Sequence, residues 1–176
     1  MLWKKVEPDK NGWLDLKPYW EEIEQLGQER LEYRTKLSRK NERRWNMGAN
    51  TAGIAGEWAF GLLTGIAPDL ALKRGGDGGV DFEKDGKTID VKTHTNLKHV
   101  RLIIETKDSY IARMKRDKKW ADQYVLVLLD VNNKKAKVMG YIDYSDLEYC
   151  PVETFNIRGD IHDNFVIYPN DLKEII

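Results

Sequence analysis

Two aspartates and a lysine, Asp81, Asp90 and Lys92, are spaced so that they could do chemistry together. The aspartates lie in two short runs of alternating apolar and polar residues, and the Asp-Gly pair between these runs predicts a tight β-hairpin. Centring the turn on that pair places Asp81 directly opposite Asp90, with Lys92 two residues further along the same face. The other face carries the apolar residues Val80, Phe82, Ile89 and Val91.

The opposed aspartates indicate a site for a divalent cation. Directly opposed side chains have Cβ atoms ~5 Å apart. The repulsion between two such carboxylates is on the order of 3 kcal/mol at an effective dielectric near 20. A raised pKa on one carboxylate, or the ammonium of Lys92, would relieve part of that repulsion. Two hard carboxylates on a rigid pleat also suit Mg²⁺. An exposed hairpin with an ordinary polar face is the alternative reading of the same residues.

Glu57 is the one charged residue in an otherwise apolar segment, residues 51–63, which predicts a buried helix. Burying a carboxylate costs several kcal/mol unless it is paired, protonated or bound to a metal. Glu57 therefore joins the candidate site residues. The alternative is that its side chain reaches solvent or pairs with an arginine.

Hydrophobic periodicity and turn residues place these side chains on a helix and on strands. The predicted elements are helices at 18–46, 51–63 and 108–120, strands at 80–84, 88–93, 100–106, 124–131 and 136–142, a short helix near 145–148 and a last strand near 165–168. This order predicts an α/β (α+β) fold with a central mixed sheet flanked by helices. Length and the lack of a linker predict one domain, 1–176, with a helical extension at 1–48, a core at 49–142 and a C-terminal extension at 143–176.

Glu57, Asp81 and the triplet Asp90-Val91-Lys92, in this order of elements, resemble the PD-(D/E)xK nuclease superfamily, which has the restriction-endonuclease-like fold. The resemblance covers about residues 51–142 and implies an αβββαβ core, to which this chain adds the long N-terminal helix. The family's nominal proline is absent, since Val80 precedes Asp81.

The resemblance also implies roles for these residues in a metal-dependent hydrolase. Asp81, Asp90 and the backbone carbonyl of Val91 would bind Mg²⁺, for which Mn²⁺ would substitute, and Glu57 would complete or water-bridge the metal shell. The metal would polarise the scissile phosphate and generate hydroxide from a bound water. Lys92 would orient that water or stabilise the charge that develops on the phosphate. The implied activity is hydrolysis of DNA phosphodiester bonds, with an endonuclease of the structure-specific or phage DNA-processing type favoured.

The charge distribution is compatible with a DNA partner. The chain has 29 basic and 29 acidic residues, but its central half is basic and its ends are acidic. Solvated helix faces are the simpler explanation of such runs. The residues predicted to contact nucleic acid are Arg39, Lys40, Arg43 and Arg44 on the first helix, Arg113, Lys115 and Arg116 on the basic helix, and His94 beyond Lys92. The sequence contains no apolar segment of bilayer length and starts without an apolar leader, which predicts a cytoplasmic protein without membrane contact.

Two other classes of function fit the same sequence. A non-catalytic nucleic-acid-binding module could use this fold, and retention of all four candidate catalytic residues argues against it. An exonuclease or junction resolvase is a further option within the superfamily. The amphipathic stripe of helix 18–46 also permits a structural or oligomerisation role, including a homodimer, which is compatible with an enzyme.

Overall fold

The predicted helices and strands form in the expected order, with additional strands at both ends of the chain. The computed structural model describes residues 3–37, 47–69, 80–157 and 159–175. Its helices are α1 (Trp20–Leu37), α2 (Met47–Thr64) and α3 (Lys107–Met114), and its strands are β1 (Leu14–Asp15), β2 (Phe82–Lys84), β3 (Lys87–His94), β4 (Leu102–Glu105), β5 (Gln123–Asp130), β6 (Lys135–Asp143), β7 (Val152–Ile157) and β8 (Asp160–Ile167). The fold is of the mixed α+β class, as predicted. None of the helices in the described ranges is long and apolar enough to span a membrane.

The strands form two sheets. The first has the order β1-β6-β5-β3-β2. It is mixed, because β3 and β5 are parallel while every other pair of neighbouring strands in this sheet is antiparallel. The second has the order β4-β8-β7 and is antiparallel. The helix-strand-strand-strand-helix-strand order from α2 to β5 agrees with the predicted core. However, β4 lies in the second sheet, which the sequence did not predict.

The predicted hairpin has the predicted register from its turn out to Phe82 and Ile89. Phe82 pairs with Ile89 and Lys84 with Lys87. Asp85 and Gly86 have φ angles of 52° and 76°, the left-handed backbone that a two-residue hairpin turn requires. Local turn chemistry is therefore sufficient to set the register of β2 against β3.

The first sheet separates two apolar clusters. On one face, Phe82, Ile89 and Val91 pack with Trp58 and the other buried residues of α2. On the other face, Tyr124 and Leu126 of β5 pack against residues of the second sheet, including Leu102, Ile104 and Ile167. Thus Asp90, whose partner in the parallel register is Tyr124, lies on the face that is covered by the second sheet rather than on an open surface.

Several element bounds differ from those predicted. Helix α2 begins at Met47, four residues before the predicted start at 51, so Asn50 and Thr51 lie buried inside it. Helix α3 ends at Met114, because Lys115 adopts a left-handed φ of 56°. The basic residues from Lys115 to Lys119 are therefore in a loop and not on a helix. The end of the first predicted helix, including Arg39, Lys40, Arg43 and Arg44, lies outside the described residues.

Gly56 sets how closely α2 approaches β3. A Cβ atom at this position would overlap Thr93 Oγ1, whereas a Cβ at Gly53 in the same helix would only make an ordinary contact with Arg30. Helix α2 therefore packs against β3 one residue away from Lys92 on the chain.

Replacing Gly56 by alanine is expected to destabilise the protein. Overpacking of this kind typically costs about 1–3 kcal/mol, which corresponds to a fall in Tm of about 2–12 °C for a chain of this size. The matched control, Gly53→Ala, should leave Tm unchanged or raise it, because alanine is the better helix former. Thermal melts of both variants, and of Gly56→Ala combined with Thr93→Ala, provide the measurement. Failure of the second substitution to recover stability would contradict the assigned clash.

Candidate active site

The candidate site lies at the open end of the β2–β3 hairpin, where the pairing between the two strands ends. The ladder ends at Phe82, and the N–H of Asp81 donates to the carbonyl of Ile89, one residue out of the hairpin register. The Asp81 carboxylate, which is buried, accepts a hydrogen bond of 2.7 Å from the backbone N–H of Val91. Asp81 therefore lies just before β2, outside the ladder, and not on a strand directly opposite Asp90 as predicted. The predicted directly opposed pair does not form, because the Asp81 carboxylate is placed at the edge of β3, where it accepts the Val91 N–H.

Beyond this point, the outer edge of β3 is not covered by a strand of the described residues. Strand β2 pairs only with Lys87–Ile89, and β3 continues to His94 with β5 on its other side. In a β-strand, the N–H and C=O of one residue point to the same side. Because the Val91 N–H points to Asp81, the Val91 carbonyl also faces this edge. The predicted set of a carboxylate and a backbone carbonyl is therefore present there.

Asp90 and Lys92 form an ion pair on the second face of β3. The Lys92 Nζ lies 2.7 Å from both oxygens of the Asp90 carboxylate. The Asp90 side chain is only 4% exposed, while that of Lys92 is 42% exposed. Burial, and next the Asp90 charge, raise the pKa of the neighbouring Tyr124 phenol. The lysine thus reaches from solvent to a buried carboxylate, which is one of the arrangements that the sequence predicted for relieving carboxylate repulsion.

The loop after α3 adds a second lysine near this pair. Asp122 holds the loop against β3, because its carboxylate accepts hydrogen bonds from the N–H and the hydroxyl of Thr88, at 2.8 and 2.7 Å. Lys118 packs its ammonium over the ring of Trp120, 4.4 Å from the centroid. Burial, and next the charge of Lys92, lower the pKa of Lys118. Sequence reasoning counted Lys118 only among the basic residues of a helix, because the packing that brings it near Lys92 carries no local signal.

Arg113 and Glu105 form a separate ion pair between the last turn of α3 and the end of β4. The guanidinium donates to both carboxylate oxygens of Glu105, at 3.1 and 2.7 Å, and the Nδ1 of His162 lies 3.1 Å from Oε1. Burial opposes ionisation of Glu105. The hydrogen bonds from Arg113 and His162 outweigh that effect and keep the pKa of the carboxyl below its ordinary value. Arg113, predicted to contact nucleic acid, is therefore engaged within the protein, whereas Lys115 and Arg116 are exposed.

Glu57 is buried, as predicted, and is paired with an arginine. Arg30 of α1 donates to both of its oxygens, at 2.7 and 3.0 Å, in a bidentate ion pair whose side chains are 12% and 5% exposed. This is the alternative that the sequence left open. Glu57 lies beside Gly56, at the contact of α2 with β3. Its role as a metal ligand stays a prediction, and sequence reasoning missed Arg30 because the pair joins two helices.

The candidate protein ligands are suited to a Mg²⁺ ion whose remaining ligands are water and substrate oxygens. Within the described ranges, no group of three or more histidine, cysteine or acidic side chains is placed to hold a metal by itself. Mg²⁺ is commonly held by one or two carboxylates together with waters and substrate phosphates. Asp81, Asp90 and the Val91 carbonyl meet that requirement, provided that Lys92 leaves Asp90. The Lys92 side chain has the exposure and the flexible stem to do so.

Comparison with known proteins does not assign the chain to a family. No protein-family model matches the sequence, and no curated protein or solved structure matches it significantly. The resemblance to the PD-(D/E)xK superfamily therefore stays a prediction that depends on the residues and on the order of the elements.

Divalent cations are expected to stabilise the folded protein through Asp81 and Asp90. At a free Mg²⁺ concentration ten times Kd, binding adds about 1.4 kcal/mol, or a rise in Tm of about 3–6 °C. Asp81→Asn should abolish the rise, because its side-chain oxygen can still accept the Val91 N–H but carries no charge. Asp85→Asn, in the exposed turn of the same hairpin, is the matched control and should retain the rise. A wild-type Tm that is equal in EDTA and in 10 mM Mg²⁺ would count against this metal site.

Proposed function

We propose that this chain is a Mg²⁺-dependent deoxyribonuclease that hydrolyses phosphodiester bonds, acting as an endonuclease. The observation that carries the proposal is the arrangement at the edge of β3. The Asp81 carboxylate and the Val91 carbonyl face that edge, and the paired Asp90 and Lys92 lie beside it. Buried carboxylates at a strand edge, next to a partly exposed lysine, are expected where a metal and a phosphate meet.

Each residue of the site has a distinct task in this reaction. Bound Mg²⁺ supplies the polarisation of the scissile phosphate and the acidification of a water. Asp81 and Asp90 hold that charge, and the Val91 N–H fixes the orientation of Asp81. Lys92 neutralises Asp90 in the free protein. When it leaves Asp90, its ammonium can stabilise the negative charge that develops on the phosphate. The bidentate pair with Glu57 positions Arg30, and with it α1, against the helix that supports β3.

A non-catalytic nucleic-acid-binding module is the second candidate. Its support is that Asp90 and Glu57 both have basic partners without a metal, Lys92 and Arg30. An enzyme of this class would replace at least the Asp90–Lys92 pair by contacts of Asp90 with the metal and of Lys92 with the substrate. A binding module would keep both pairs.

A cleavage assay on a panel of DNA substrates distinguishes these functions. The panel comprises supercoiled plasmid, linear duplex, single strand and a four-way junction, each with Mg²⁺, Mn²⁺ or EDTA. The proposal expects cleavage that requires metal, with internal nicks in the plasmid. Cleavage of linear ends alone would replace the endonuclease assignment by an exonuclease. Binding without cleavage of any substrate would favour the module.

A further inference from the structure

A polar cleft lies at the far end of β3, where the two sheets separate. Strand β3 of the first sheet ends at His94, and β4 of the second sheet begins at Leu102. The connection between them borders a cleft of about 570 Å³. Its polar lining residues are His94, Asn96, Lys98, His99, Arg101 and Tyr168.

The lining of this cleft is suited to an anion. It contains a lysine, an arginine and two histidines, together with amide and phenol donors, and none of its lining residues is acidic. The Asn96 side chain accepts the backbone N–H of Lys98 at 3.0 Å, which shapes the loop that carries Lys98. Arg101 stacks over the Phe155 ring, 5.1 Å from its centroid, and lies 3.5 Å from the Glu153 carboxylate, so its guanidinium is held in place.

His94 gives a second indication of a ligand. Its Nε2 atom is buried and has no hydrogen-bond partner among the described residues. Buried polar atoms in native structures nearly always have a partner, and a missing ion or ligand is one explanation for an exception. His94 also lies two residues beyond Lys92 in β3, on the same face and about 7 Å further along the strand. The cleft therefore continues the candidate active site in the direction of β3.

We propose that this cleft binds an internal phosphodiester of the substrate strand, next to the phosphate that is cleaved. The inference rests on the proposed nuclease function, which it extends by assigning a direction to the bound strand. Lys98 and Arg101 supply the positive charge, and His94, which lines the cleft, supplies a hydrogen-bonding imidazole. Sequence reasoning predicted a nucleic-acid contact for His94 but made no such prediction for Lys98 or Arg101.

The test measures DNA binding in EDTA, so that cleavage does not contribute. Fluorescent 25-nucleotide duplex and single-stranded DNA are titrated with wild-type protein, Lys98→Ala, Arg101→Ala and the control Lys10→Ala over a series of salt concentrations. Lys10 is an exposed lysine in a remote turn. Each cleft variant should bind several-fold more weakly at low salt. The slope of log K against log salt should fall by about 0.9 for duplex or about 0.7 for single-stranded DNA per lost phosphate contact.

The outcomes separate the cleft from the catalytic proposal. If both cleft variants bind like Lys10→Ala, or if the wild-type protein does not bind DNA, the cleft is not a phosphate site, even where Lys92-dependent cleavage is found. If the cleft variants lose affinity while no substrate is cleaved, the phosphate assignment stands and the proposed nuclease activity is contradicted.

The assay is repeated with 5′-phosphorylated and 5′-hydroxyl strands of the same sequence. A loss that is confined to phosphorylated ends would overturn the internal-phosphodiester assignment in favour of end binding.

Discussion

Replacing Lys92 by alanine is expected to lower metal-dependent DNA cleavage at least about 100-fold. Removal of a single group that stabilises transition-state charge typically costs about 10²–10³ in kcat. Lys92 is a partly exposed cation 2.7 Å from the buried Asp90, so its loss removes positive charge where the phosphate would react. The measurement is single-turnover cleavage of the preferred substrate in Mg²⁺, at protein concentrations above Kd. DNA affinity should change far less than the rate.

The Asp90–Lys92 pair adds an effect on stability that the sequence alone did not predict. Without Lys92, the buried Asp90 loses an ammonium at 2.7 Å, and folding should weaken by about 1 kcal/mol in EDTA. This is less than for a fully buried pair, because the lysine side chain is 42% exposed. Lys84→Ala, on the same hairpin and exposed, is the control and should be neutral in both assays. A Lys92→Ala protein that is folded and cleaves at the wild-type rate would remove Lys92 from the mechanism.

Replacing Arg30 by alanine is expected to lower the free energy of unfolding more than the other single substitutions proposed for this protein. It removes both hydrogen bonds of a bidentate pair to Glu57, whose side chain is 5% exposed. Removing one partner of a buried pair typically costs about 3–5 kcal/mol, which corresponds to a fall in Tm of about 6–20 °C for a chain of this size. Thermal and urea unfolding measure the effect. Lys36→Ala removes an exposed cation from the same helix and should change Tm by no more than about 2 °C.

A double variant tests whether the cost comes from the buried charge. Well-packed apolar residues often replace a buried ion pair at little cost. Arg30→Met combined with Glu57→Leu should therefore be more stable than Arg30→Ala alone. If the double variant is no better, the loss comes from packing of the arginine and not from the charge of Glu57. If it is stable but no longer cleaves DNA, Glu57 or Arg30 has a role in the reaction beyond holding the helices together.

Much of the hairpin could be read directly from the sequence. Its register, its turn and its division into apolar and polar faces depend on alternation and on the backbone preferences of Asp85-Gly86. These properties are local. The burial of Glu57 was likewise predictable from the apolar segment around it. The order of helices and strands from α2 to β5 follows from periodicity, which also acts over short spans of the chain.

The tertiary structure decided how the candidate residues are paired and covered. The contact of Arg30 with Glu57 joins residues on two helices, and no pattern within either helix specifies it. Strand β4 pairs with β8, from the far end of the chain, and so belongs to a second sheet that covers the Asp90 face. Lys118 lies near Lys92 in a loop that Asp122 and Thr88 hold against β3. Local sequence thus determined which side chains share a face of β3, such as Asp90 and Lys92, but not the position of Asp81. Long-range packing, which depends on the whole chain at once, determined which charges neutralise them and which edge of β3 pairs with no strand among the described residues.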